Sequence, residues 1–113
     1  MSSNNAVITT QLKSLIFYHL DNDLLHNALF VAGRLHGVDS RSPEAAHLLA
    51  LCHLRLGQYR AAYDCSISHG LRGTHLGCSY VFAQACYALE KYHDGATALN
   101  RARPLWEGIN EWS

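Results

Sequence analysis

A degenerate pattern that returns every 33 to 34 residues constrains this chain more than any other feature. Three segments align: Leu12-Lys13-Ser14-Leu15-Ile16 with Ala28; Ala46-His47-Leu48-Leu49-Ala50 with Gly57, Tyr59 and Ala62; and Ser79-Tyr80-Val81-Phe82-Ala83 with Tyr92 and Gly95. The paired positions Leu15/Ile16, Leu49/Ala50 and Phe82/Ala83 lie 34 and 33 residues apart, and Ala28, Ala62 and Gly95 keep the same spacing. Small residues at the second set of positions let two helices of a hairpin approach closely, while large apolar residues fill the space between them. Such a unit cannot bury its apolar face alone, so copies must stack.

A period of 34 with this order of large, small and aromatic residues is the tetratricopeptide (TPR) pattern. The predicted fold is all-α, a TPR-type α-solenoid of about three helical hairpins. Residues 1–113 form one domain with repeats at about 9–42, 43–75 and 76–109. Three hairpins are the minimum for such an array, so the chain reads as the N-terminal part of a longer scaffold.

The first hairpin is expected to pair a helix over about 7–20 with one carrying Leu25, Ala28, Leu29, Val31, Ala32 and Leu35 and stopping near Gly37. Asp21-Asn22-Asp23 should end the former and cap the latter. Ser42-Pro43-Glu44 reads as an N-cap, a proline at the first helical position and an acid in the first turn. That helix closes at Gly57, and its partner runs from Gln58 to His69. Gly70 to Gly77 is a loose connector. The last pair spans about 78–90 and 92–103, and Pro104 opens a tail with Trp106, Ile109 and Trp112, which either covers the third repeat or leads into another.

Nine basic and nine acidic residues give zero net charge, and no basic run occurs, so nothing in the chain marks a nucleic-acid or anionic-membrane surface. No apolar stretch is long enough to span a membrane. The N-terminus lacks the features of a secretory signal, so the four cysteines are expected to be reduced and the chain to be nuclear and cytoplasmic. The hydrophobic fraction is 49% against 16% charged, which predicts apolar surface left over for a partner.

The first helix of each hairpin should line the concave groove, through Thr10, Lys13, Phe17 and Leu20; Glu44, His47, Leu51 and Leu54; and Gly77, Tyr80, Gln84 and Tyr87. Half of these are Phe, Leu or Tyr, which suits an amphipathic helix. Leu15, Leu48, Leu49, Val81, Phe82 and Leu99 fill the core on other faces. The first helices are then apolar nearly all round, and a helix of that kind is buried on both sides.

The eight histidines and four cysteines form no close-spaced ligand pair. Cys52, Cys65, Cys78 and Cys86 contain no C-x-x-C, and His47/Cys52/His53, His19/His26 and His69/His75 do not share helical faces, so no metal or cofactor is expected. Cys52 and Cys86 fall at packing positions, where a thiol acts as a small hydrophobe. No phosphate-binding glycine loop follows a strand. The chain is therefore read as non-enzymatic.

Ala28-Leu29-Phe30-Val31-Ala32-Gly33-Arg34-Leu35, Leu48-Leu49-Ala50-Leu51-Cys52, Tyr59-Arg60-Ala61-Ala62-Tyr63, Phe82-Ala83-Gln84-Ala85-Cys86 and Leu89-Glu90-Lys91-Tyr92-His93-Asp94-Gly95 together resemble the N-terminal repeats of anaphase-promoting complex subunit 3. The resemblance covers about 12–99. It departs from the TPR pattern at Ile16, at Asp23 and Glu90 (where the turn glycine Gly57 stands in repeat 2), and at Ser66 and His69. It implies a non-catalytic scaffold of a multisubunit cell-cycle ubiquitin ligase acting in mitosis. The N-terminal repeats of that family form a homodimer and its C-terminal repeats capture activator tails.

The leading expectation is thus a homodimerisation module whose partners are a second copy and other subunits of the complex. Leu12, Leu15, Ile16, Phe17 and Leu20 of the first helix would enter a groove formed by His47, Leu51, Leu54, Tyr80, Gln84 and Tyr87 of the other chain. The alternative is a monomeric TPR adaptor binding a peptide or helix of a different protein.

Overall fold

The computed structural model describes residues 2–69 and 76–110, with side chains described for 6–69 and 77–104. It contains six helices in order: α1 (Ser2–Asp21), α2 (Leu25–Val38), α3 (Pro43–Arg55), α4 (Tyr59–Ser68), α5 (Leu76–Ala88) and α6 (Tyr92–Asn110). There is no strand among the described residues. Helices α1/α2, α3/α4 and α5/α6 pair as hairpins, which stack through α2 on α3, α4 on α5 and α3 on α5. The architecture is the all-α hairpin array that the 34-residue period predicts.

The same turn joins the helices of each hairpin. Asp23, Gly57 and Glu90 have φ of 60°, 77° and 63°, in the left-handed region that terminates helices. The next residue's N–H reaches back to a carbonyl five residues earlier: Leu24 to His19 at 2.8 Å, Gln58 to His53 at 2.8 Å and Lys91 to Cys86 at 2.7 Å. Asp23 and Glu90 therefore occupy the glycine position, as the alignment with Gly57 implies. The expectation that the Asp21–Asp23 cluster caps α2 is corrected. The N-cap is Leu24, with no side-chain cap bond, because Asp23 is committed to the turn itself. Ser42 does cap α3, its Oγ accepting from the Ala45 N–H at 3.2 Å, with Pro43 at the helix start and Glu44 in the first turn.

Close helix approach at the small positions is visible directly. Ala28 and Ala62 are fully buried, and a Cβ on Gly95 would lie 3.2 Å from the Cys86 Cβ and 3.5 Å from the Ala83 carbonyl oxygen. One core joins hairpins 1 and 2 through Ile16, Leu20, Val31, Leu35, Leu48 and Cys52. A second joins hairpins 2 and 3 through Tyr63, Phe82, Cys86 and Ala98, with the Tyr63 and Phe82 rings stacked 5.4 Å apart.

Several boundaries differ from the sequence expectation. α1 begins at Ser2 rather than Val7, and α5 begins at Leu76. α6 does not stop at Arg103 but runs through Pro104 to Asn110. A proline in a helix removes one N–H and crowds the carbonyl four residues before it, here that of Asn100. Pro104 and Asn100 are both on the exposed side, where water can serve that carbonyl. The connector at 70–75 and the side chains of Trp106, Ile109 and Trp112 lie outside the described residues.

Candidate functional site

The groove positions form one continuous surface at its N-terminal edge. Lys13 on α1 pairs with Glu44 on α3 at 3.3 Å, and His47 on α3 abuts Gly77 on α5, whose Cβ would sit 3.5 Å from the His47 Nε2. A recess of about 300 Å³ opens there between Pro43, Glu44, His47, Gly77 and Cys78. Phe17 on α1 stands 47% exposed, and on α5 Tyr80 and Tyr87 stand 50% and 46% exposed, with Gln84 exposed as well. Leu51 and Leu54 are half-buried. Leu51 packs on the first core and Leu54 on the second.

The fold divides the expected α1 contact set. Ile16 is fully buried and Leu20 is 8% exposed, both inside the chain's own core, so neither can enter a partner's groove. Leu12 is half-buried against the same core. The reason is helical phase: residues four apart lie on one face, and Leu12, Ile16 and Leu20 make the stripe that meets α2. Leu15 and Phe17, on either side of that stripe, remain exposed. Leu15 was expected in the core, and at 42% exposure it is not. The apolar side chains that α1 presents outward are Val7, Ile8, Leu15, Phe17 and Tyr18, all at least 42% exposed.

Ile8, Leu12 and Leu15 of α1 face Phe30, Val31, Arg34 and Val38 of α2 across an apolar recess of about 410 Å³. Phe30 is 66% exposed, with the Arg34 guanidinium 5.9 Å from its ring centre. This outer side of the first hairpin was not singled out in the sequence. Its signal was present as an apolar i, i+4, i+7 series at 8, 12 and 15 alongside Phe30 and Val38, masked because the repeat pattern assigns no role to Ile8 or Val38 and gives Leu12 and Leu15 to other faces.

Three of the four thiols are held protonated by burial. Burial pushes Cys52 from 9.0 up to about 11, against a smaller opposing effect of Arg55, and burial also raises Cys65 and Cys78. Thiols in that state are poor nucleophiles near neutrality. Among the described residues no three or more His, Cys, Asp or Glu side chains converge as a metal cluster, and no helix is long and apolar enough to cross a membrane.

The family model described as anaphase-promoting complex, cyclosome, subunit 3 matches residues 21–102. Protein bimA of Emericella nidulans is 53% identical over all 113 residues, which amount to 14% of its own length. Anaphase-promoting complex subunit 3 of Schizosaccharomyces pombe is 33% identical over 102 residues, covering 90% of this chain and 15% of that protein. The chain thus spans about a seventh of the length of these relatives. No solved structure matches it.

Proposed function

The chain belongs to the anaphase-promoting complex subunit 3 family, and on that premise we propose that it is a non-catalytic module joining two copies of its protein within that complex. In this reading the outward side of α1 lies in the concave groove of a second copy, against Tyr80, Gln84, Tyr87, Leu51 and Leu54. Other subunits of the complex are its further partners, and it works in nucleus and cytoplasm as part of the cell-division machinery.

The observation that supports the reading is the double-sided apolar character of α1. Its inner stripe is used by Ile16 and Leu20, yet Val7, Ile8, Leu15, Phe17 and Tyr18 remain at 42–58% exposure on the other side. A helix apolar on both sides needs a second cover.

Light scattering on the purified chain tests this. The mass should be that of two chains at micromolar concentration, and the melting temperature should rise with protein concentration. Leu15→Glu and Tyr80→Glu place a carboxylate in the apolar contact and should return the mass to one chain while circular dichroism stays helical. Both positions are exposed in the single chain, so the substitutions spare its core. Arg60→Ala, which loses a surface pair with Asp64 at 3.2 Å and a guanidinium 5.5 Å from the Tyr63 ring centre, should leave the dimer intact. A wild-type mass of one chain across that range refutes the proposal.

A further inference from the structure

His36, near the end of α2, and His69, just past α4, meet with their Nε2 atoms 2.9 Å apart, although they are 33 residues apart in sequence. Their rings cross at 83° with centres separated by 4.8 Å, and both residues are half-buried. Helices α2 and α4 do not otherwise pack on one another. The pair is thus a side-chain clasp between the second helices of two successive hairpins.

The tautomers follow from the neighbouring groups. The His69 Nδ1 lies 3.0 Å from the Cys65 carbonyl oxygen, which can only accept, so Nδ1 carries the proton and the Nε2 of neutral His69 is the acceptor of the bond between the rings. The proton between the rings therefore sits on the His36 Nε2. A backbone carbonyl fixing one ring nitrogen while the other offers its lone pair is the usual arrangement of a metal-binding histidine.

We propose that His36 and His69 form a two-imidazole site for a divalent ion of tetragonal preference, such as Ni²⁺ or Cu²⁺, which ties α2 to α4. Two nitrogens each about 2.05 Å from a common ion and at right angles to it are about 2.9 Å apart, the separation found here. A tetrahedral ion at the same bond length needs about 3.3 Å, so the pair suits square or octahedral coordination better than the usual zinc geometry. The ring centres agree. A straight N–H···N bond would put them about 5.2 Å apart and a right-angle chelate about 4.5 Å, and the observed 4.8 Å is already bent between the two. On binding, His36 moves its proton to Nδ1 through solvent and presents Nε2 as the second lone pair. No net proton is released, and water completes the coordination sphere. The repeat pattern gives no hint of this site, because only the stacking of the hairpins brings the two rings together.

Titration calorimetry of the 113-residue chain with NiCl₂ tests the proposal. The expected result is one saturable equivalent per chain, with a melting temperature that rises by about 10 °C at about 100-fold excess over the dissociation constant. His36→Gln and His69→Gln should each abolish that equivalent, and His26→Gln, on an exposed position, should keep it. Circular dichroism without nickel shows whether each variant is folded. Independently of any variant, nickel should shield His36 and His69, and no other histidine, from diethyl pyrocarbonate as mapped by mass spectrometry. Absence of saturable binding, binding unchanged in folded His36→Gln, or shielding of other histidines instead overturns the proposal.

Discussion

Replacing Glu90 by glycine should stabilise the chain, and replacing Gly57 by alanine should destabilise it by a similar amount. Both residues occupy the same turn, with φ of 63° and 77° and matching backbone hydrogen bonds. An L-residue in the left-handed region costs roughly 1–2 kcal/mol. Glycine gives back about 0.5–1 kcal/mol of that through its greater freedom in the unfolded chain. The net gain for Glu90→Gly is therefore about 0.5–1 kcal/mol. For Gly57→Ala the added Cβ would meet no atom within 4 Å, so the loss is conformational rather than steric. With an unfolding entropy near 2.1 cal/mol/K per residue, a chain of this length changes its melting temperature by about 2–4 °C for such an energy. Thermal melts followed by circular dichroism at one fixed protein concentration, so that association does not enter, measure both shifts. If Glu90→Gly melts lower than the wild type, the glutamate side chain holds the turn and the backbone reasoning fails.

Other outcomes follow from the same structure. Ser66 is 1% exposed and its Oγ has no hydrogen-bond partner among the described residues, so Ser66→Ala should raise stability by about 1 kcal/mol in denaturant melts. Ile16→Ala should cost about 2–5 kcal/mol by the same assay, because Ile16 is fully buried in the core between α1 and its neighbours. Gly95→Val should be worse than helix propensity predicts, since its side chain must displace the Cys86 Cβ or the Ala83 carbonyl. The folded state holds the Cys52 proton longer than the unfolded one, so this contribution to stability is complete below pH 9.0 and is lost as the pH rises towards about 11. Urea midpoints taken across that range should fall, and Cys52 should resist iodoacetamide at neutral pH until the chain unfolds.

The hairpin architecture was legible because each requirement rests on a short sequence pattern. Small residues at 28, 62 and 95 mark close approach, Gly57 marks a left-handed turn, and Ser42-Pro43-Glu44 marks a helix start. Asp23 and Glu90 could be placed in the turn only by alignment with Gly57, since aspartate tolerates a positive φ but serves many other turns and glutamate does not favour one. The candidate site was only half legible. The groove positions were found by counting along the repeat, but the face that α1 gives to its own core could not be separated from the face it leaves open. Leu12, Leu15, Ile16, Phe17 and Leu20 are all apolar, and composition does not say which of them meet α2. Packing decides it, burying Ile16 and Leu20 and leaving Leu15 and Phe17 in solvent. The run of α6 through Pro104 was missed for a different reason: a local stop signal gives way when the affected carbonyl faces water.

Helices that are neighbours in the chain are neighbours in space here, with α3 on α5 as the one skip among the described pairs. Few contacts then wait for the closure of a long loop, the step that slows the folding of sheet proteins. No hairpin is stable by itself, but successive ones can pair as they leave the ribosome, each covering part of the apolar face of the one before. The first hairpin emerges with Leu15 and Phe30 already uncovered, so the apolar surface available for pairing exists before the remainder of the polypeptide has been made.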